Sequence, residues 1–199
     1  MERESEAAAA GPKDTIAVLF SYPWNTIAEQ CETVLGPAGY GYVQTSPPQE
    51  HVVNVDGGQN PWWIYYQPVS YKLESRMGTE AAFQSMIDRC NDAGVGVIVD
   101  AVINHMSGQP NGGTGWAGTQ YGYLNYPMYQ PSDFHSCSRN ISKYPDRYEV
   151  QECRLVGLSD LNTGSAYVQD QLAGYLNKLI DMGAAGFRID AASADRQAS

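Results

Sequence analysis

Two short runs in this chain carry residue types that can act together on a polar substrate. Gly186-Phe187-Arg188-Ile189-Asp190 reads as a buried strand that delivers an aspartate at its end, with an arginine two positions earlier. Side chains alternate along a strand with period two, so Arg188 and Asp190 point to one face. A guanidinium beside the carboxyl lowers its pKa and keeps it ionised, which is the state a carboxylate nucleophile needs. Asp100-Ala101-Val102-Ile103-Asn104-His105 likewise closes an apolar run with polar residues. By itself this second run also reads as a buried aspartate tying down a loop, with Asn104 and His105 in a turn.

The elements that must hold these residues follow from hydrophobic period and stop signals. Ile16–Phe20 is an apolar run of strand length, and Asn25–Leu35 reads as a helix stopped by Gly36-Pro37. Tyr40–Thr45 is the next strand, followed by a long loop over about 49–76 with an aromatic cluster at Trp62, Trp63 and Tyr66. Thr79 caps a helix whose apolar stripe is Phe83, Met86, Ile87 and Cys90, with Gly94 as its stop. Gly96–Ile103 is the strongest strand. No helix is legible over 105–163, a length that marks a functional excursion or inserted subdomain. Ser165–Met182 is helical, with Val168, Leu172, Leu176, Leu179 and Ile180 as its stripe, and Gly183 ends it.

Strands that read as fully buried and alternate with helices predict a parallel α/β sheet, either half of a TIM barrel or a small open sheet. In both, ligands bind at the C-terminal ends of the strands, where Asn104, His105 and Asp190 fall. The expected divisions are a leader over 1–13, a first barrel part over 14–104, an inserted stretch over 105–164 and a barrel continuation over 165–199.

Composition narrows the partners. With 199 residues, 43% hydrophobic, the chain is long enough for one globular domain. A net charge of −10 argues against nucleic acid and anionic membranes, which select basic surfaces. Only 17% of residues are charged, against 14 Tyr and 4 Trp, a mix suited to a neutral polar ligand. No apolar run is long enough to span a membrane, and residues 1–13 lack the apolar core of a signal peptide. Cys31, Cys90, Cys137 and Cys153 lack CxxC spacing, which speaks against zinc and leaves two disulfides or four thiols open.

Asp100–His105 and Gly186–Asp190, separated by a long irregular insertion, resemble the first two signature regions of the α-amylase family of glycoside hydrolases. Gly36-Pro37-Ala38-Gly39-Tyr40-Gly41-Tyr42-Val43-Gln44-Thr45-Ser46-Pro47-Pro48 is similar to its second-strand segment, and Trp62-Trp63-Ile64-Tyr65-Tyr66-Gln67-Pro68-Val69-Ser70-Tyr71 to its substrate loop. The resemblance covers about Asp14 to Ala192 and is nearest to secreted amylases of animals and actinobacteria.

The resemblance implies the N-terminal half of a (β/α)8 barrel and endo-hydrolysis of α-1,4-glucan by a retaining mechanism. Asp190 matches the nucleophile and Arg188 the arginine that orients it. His105 and Tyr66 match residues at the sugar ring where cleavage occurs, Trp62 and Trp63 tryptophans on the glycone side, and Gln67 a glutamine near those subsites. Calcium is implied, with side-chain ligands Asn104 and Asp160 and backbone carbonyls at Gln151 and Ala194; chloride dependence is not decided. The pairings Cys31–Cys90 and Cys137–Cys153 are implied as well, and with them a location outside the cytosol. The implied partners are starch, glycogen and maltooligosaccharides, with the complete protein a monomer.

The pattern breaks after Ala192. The family's Lys-His is replaced by Ser193-Ala194, and its acid/base Glu belongs to a later strand. The chain is therefore expected to be an N-terminal fragment without turnover of its own. Two other readings stay open: a glucan-binding half-domain, and an α-glucosidase or transglycosidase of the same clan.

Overall fold

The computed structural model describes residues 14–192. In chain order the elements are β1 (Ile16–Val18), α1 (Trp24–Gln30) running into a wide π-turn (Cys31–Leu35), β2 (Tyr42–Gln44), a single helical turn α2 (Val55–Gly58) and a 3-10 turn (Trp62–Tyr66). Then come α3 (Glu80–Asp92), β3 (Gly96–Ala101), the short strands β4 (Gly113–Thr114) and β5 (Gln120–Tyr121), and a 3-10 turn (Pro131–Asp133). The chain goes on through α4 (Arg147–Glu152), α5 (Ala166–Asp181) and β6 (Gly186–Ile189).

Local rules account for the element ends. The Thr79 side chain accepts the Ala82 N–H at the start of α3, satisfying one of the donors a helix leaves open. Gly94 and Gly183, just beyond α3 and α5, take φ of 71° and 99°, a left-handed conformation open to glycine at little cost.

β1, β2, β3 and β6 form one parallel sheet in that order. Val43, Val97 and Val99 pack with Phe83, Met86 and Ile87 of α3, Ile27 of α1, and Tyr175 and Leu179 of α5 into the main core. Parallel strands wound with helices in this way are those of a partial TIM barrel.

The expectation that every strand is buried on both faces is corrected. Ile16, Val18 and Tyr42 are 47%, 59% and 37% exposed, because among the described residues helices cover one face of the sheet and β1 and β6 are its outer strands. The stripe of α5 is also shifted. Val168, Leu172, Tyr175 and Leu179 are buried, whereas Ile180 is 52% exposed. Tyr175 takes the inward position because its ring stacks on Tyr71 and its hydroxyl donates to Gln49 Oε1.

The 105–164 stretch is more ordered than its composition suggests. β4 and β5 pair as an antiparallel hairpin, and α4 starts at Asp146, whose side chain accepts from the Tyr148 and Glu149 N–H groups. A second apolar cluster of Met106, Tyr126, Tyr129, Phe134 and Leu161 closes on Val168 and Leu172 of α5. Both expected disulfides are formed: Cys31 to Cys90 between the end of α1 and α3, and Cys137 to Cys153 at the end of α4.

Candidate active site

Asp100 and Arg188 are register neighbours on β3 and β6, so the sheet itself sets them side by side. Arg188 Nη1 donates to Asp100 Oδ1 at 2.8 Å and Oδ2 at 3.1 Å, and also to Asp190 Oδ1 at 2.8 Å. One guanidinium thus bridges two carboxylates of different burial: the Asp100 side chain is 2% exposed and that of Asp190 16%. The Tyr66 hydroxyl donates to Asp100 Oδ2 at 2.8 Å.

These contacts divide the roles of the two aspartates. Burial raises the Asp100 pKa, opposed by hydrogen bonds from Arg188 and Tyr66. Burial acts to lower that of Arg188, but its hydrogen bond to Asp100 and the charges of both aspartates outweigh this and raise it. Asp100 is therefore a buried anchor, while Asp190 is held by the same arginine and opens to solvent. Arg188→Met should cost about 2 kcal/mol in urea unfolding, since among the described residues it leaves the buried Asp100 carboxylate hydrogen-bonded to Tyr66 alone. A stability unchanged from wild type would refute Asp100 as the anchored partner.

A groove of about 390 Å³ lies over this floor, lined by Phe20, Trp62, Tyr66, His105, Leu155, Val156, Leu158, Arg188 and Asp190. Phe20 stacks on Tyr66 with ring centroids 6.3 Å apart, and Trp62 meets both edge-on. Rings presenting flat faces beside polar groups suit the alternating C–H and O–H surfaces of a sugar. Among the described residues lining the groove, Asp190 is the one carboxylate.

The other residues expected from sequence take varied places. Trp62 is 60% exposed at the groove, whereas Trp63 packs against the main core. His105 is 1% exposed; its Nε2 lies 3.0 Å from the Tyr66 carbonyl. A carbonyl only accepts, so Nε2 carries the ring proton. Burial lowers the His105 pKa, which keeps the ring neutral. Gln67 accepts the Gly108 N–H at 3.0 Å through Oε1 and so holds the loop leaving β3.

Asn104 Nδ2 donates to Asp160 Oδ1 at 3.2 Å and lies 3.3 Å from His105 Nδ1. Asp160 also contacts His135 Nδ1 through Oδ2 at 2.5 Å. Gln151 is in α4, and Ala194 lies outside the described residues. Among the described residues no three His, Cys, Asp or Glu side chains form a metal cluster. A cation near Asn104 and Asp160 would instead meet one carboxylate, one amide and backbone carbonyls, a donor set suited to calcium.

Phe20, Leu155, Val156 and Leu158 were not legible as groove residues. Phe20 precedes Ser21, whose φ of 65° turns the chain. The Ser21 N–H is held by Ser46 Oγ, and its hydroxyl meets that of Tyr65. Val156 is 77% exposed, and its φ of 45° is a strained conformation for a β-branched residue. The signal that could have found Phe20 is its place at the end of an apolar strand-length run, where α/β sheets bind ligands.

Comparison with known proteins bears on this geometry. A family model described as Alpha amylase, catalytic domain matches residues 59–198. The chain is 54% identical to an α-amylase of Thermomonospora curvata, covering 94% of this chain and 32% of that protein. An α-amylase of Tenebrio molitor is 49% identical, covering 95% of this chain and 40% of that one. The crystal structure of α-amylase I from Eisenia fetida superposes with a TM-score of 0.86 at 42% identity, covering 90% of this chain and 38% of that one. A variant of that enzyme is described as a maltohexaose complex. The chain thus spans about a third of the length of the T. curvata relative and two fifths of the T. molitor one.

Proposed function

The chain belongs to the α-amylase family, and from that premise we propose that it forms the nucleophile-bearing part of a glycoside hydrolase acting on internal α-1,4 bonds of starch, glycogen and maltooligosaccharides. The observation that carries this is the bridge from Arg188 to Asp100 and Asp190 at the floor of an aromatic groove.

In a retaining reaction the nucleophile attacks the anomeric carbon and forms a glycosyl–enzyme, which water then hydrolyses. Asp190 Oδ1 is fixed by Arg188, so the remaining carboxylate oxygen is the one to attack. The anchored Asp100 keeps Arg188 from swinging away with its partner. Phe20, Trp62 and Tyr66 would stack on the sugar, and His105 would line the ring that is cleaved. A second carboxyl group about 5–5.5 Å from the nucleophile must protonate the leaving oxygen. Asp100 is too buried and too fully engaged for that task.

Calcium at this site would be held by the side chains of Asn104 and Asp160 and the Gln151 carbonyl. Bound there, it supplies fixed positive charge to a buried carboxylate that no lysine or arginine among the described residues pairs with. The two disulfides suit a location outside the reducing cytosol. Among the described residues no helix is long and apolar enough to cross a membrane.

The 199-residue polypeptide should release no reducing ends from soluble starch above background, because no second carboxylate among the described residues lines the groove to act as general acid, a role worth roughly 10²–10⁴ in rate. It should still bind maltohexaose saturably in calorimetry, with binding lost in Trp62→Ala. Measurable turnover would overturn the assignment of Asp190 as a nucleophile without its acid. Binding that ignores Trp62 would overturn the groove as the glucan site.

A further inference from the structure

His135 is a buried residue that the reaction leaves without a role. Its side chain is 5% exposed and sits between two carboxylates, with Nδ1 2.5 Å from Asp160 Oδ2 and Nε2 3.7 Å from Glu152 Oε2. Nε2 has no hydrogen-bond partner among the described residues. The His135 N–H also donates to the Asp160 carbonyl at 3.1 Å. The ring and main chain of one residue therefore both grip Asp160, while the far ring nitrogen faces the last residue of α4.

That placement matters because of what α4 carries. Gln151, whose carbonyl falls at an expected calcium position, directly precedes Glu152. Cys137, two residues beyond His135, is bonded to Cys153, the residue that follows Glu152. The segment carrying His135 is thus fixed to the end of α4 by a covalent bond, and to Asp160 by hydrogen bonds. Asp160 in turn meets Asn104 through the carboxylate oxygen that His135 does not touch.

We propose that His135 is the positioning residue of the calcium cradle. By holding Asp160 Oδ2 it turns Oδ1 toward Asn104, and by standing against Glu152 it sets the distance between Asp160 and the Gln151 carbonyl. A residue that merely filled space would need neither carboxylate, and an apolar side chain of similar size would serve. Partners that orient a metal-binding carboxylate are commonly worth 10–100-fold in metal affinity. The inference rests on the calcium reading above.

The test is calorimetric titration of the metal-stripped 199-residue chain with calcium chloride, paired with thermal midpoints in calcium and in chelator. Wild type should bind calcium saturably and gain midpoint on binding. His135→Ala should bind it 10–100-fold more weakly. His135→Asn, which keeps a side-chain N–H near the Nδ1 position, should recover most of the affinity. A purely structural role would lower the midpoint in chelator without separating these two variants in affinity. As a check independent of folding in the variants, the His135 ring resonances of wild type should shift along the calcium titration. Calcium binding with the same affinity in wild type and His135→Ala, or ring resonances that stay put while calcium binds, would overturn the inference and leave the calcium reading standing. A wild-type chain that takes up no calcium would remove the calcium reading and the inference together. That result would leave His135 as a hydrogen-bond partner of Asp160.

Discussion

Removing the Cys31–Cys90 bond with Cys31→Ala and Cys90→Ala should lower the unfolding free energy by about 4 kcal/mol. The bond joins positions 59 apart, and tying a loop of that size restricts the unfolded chain by about this amount. Both cysteines are fully buried in the core between α1 and α3, so alanine avoids placing a polar hydroxyl there. The two helices it joins pack with β2 and β3 in the main core, and β3 carries Asp100. The Cys137–Cys153 bond, at a separation of 16, should be worth about 3 kcal/mol by the same relation. Urea unfolding of the two double variants checks both the size and the order. A loss from the Cys31–Cys90 pair smaller than that from the Cys137–Cys153 pair would show that loop length does not govern these bonds.

Acid should destabilise the fold through His51. This ring is fully buried and packs against Tyr65 and Trp116, with Nε2 accepting the Arg76 N–H and Nδ1 against the Val52 carbonyl. Burial pushes its pKa from 6.5 down to about 4, against the pull of the Val52 carbonyl and the Glu50 charge and with the help of Arg76. The folded state therefore binds fewer protons than the unfolded state between those values. Stability is complete above about pH 6.5 and falls as the pH drops toward 4, by about 3 kcal/mol in all. The unfolding free energy measured from pH 7 to pH 4 should show this fall. The difference between wild type and His51→Gln should isolate it, because the glutamine oxygen can still accept the Arg76 N–H and does not titrate. Parallel profiles for the two proteins would refute the assignment. His105, whose pKa burial also lowers, contributes to both profiles and cancels in the difference. The consequence reaches the groove, since His51 supports Tyr65, the neighbour of Tyr66.

How far the sequence could be read depended on the range of the interactions involved. α3 and β3 were legible because a cap at Thr79, a stop at Gly94 and a period of residues lie within a few positions of one another. The Arg188–Asp190 contact followed from strand alternation alone. The grip of Arg188 on Asp100 did not, because the pair is 88 positions apart and only the register of β3 and β6 joins them. Phe20 reaches the groove through the turn at Ser21, which depends on Ser46 and Tyr65 from other segments. α4 has no long apolar stripe to announce it; an N-cap at Asp146 and tertiary bonds to Glu149 hold it. The shift from Ile180 to Tyr175 in α5 reflects a partner, Gln49, that lies 126 positions away. Burial of β1 was misread because periodicity reports what a strand can bury, and its neighbours decide what it does bury.

The sheet order β1, β2, β3, β6 is also the order of the strands along the chain. Synthesis runs from the N-terminus, and domains begin to fold as they emerge. Each described strand of this sheet after β1 therefore leaves the ribosome to find a neighbour already made. α1 and α3, which the Cys31–Cys90 bond joins, likewise both precede β6 in the chain. Among the described strands β6, which brings Arg188 to the groove's floor, is thus the last to arrive, laid against strands that can already be paired.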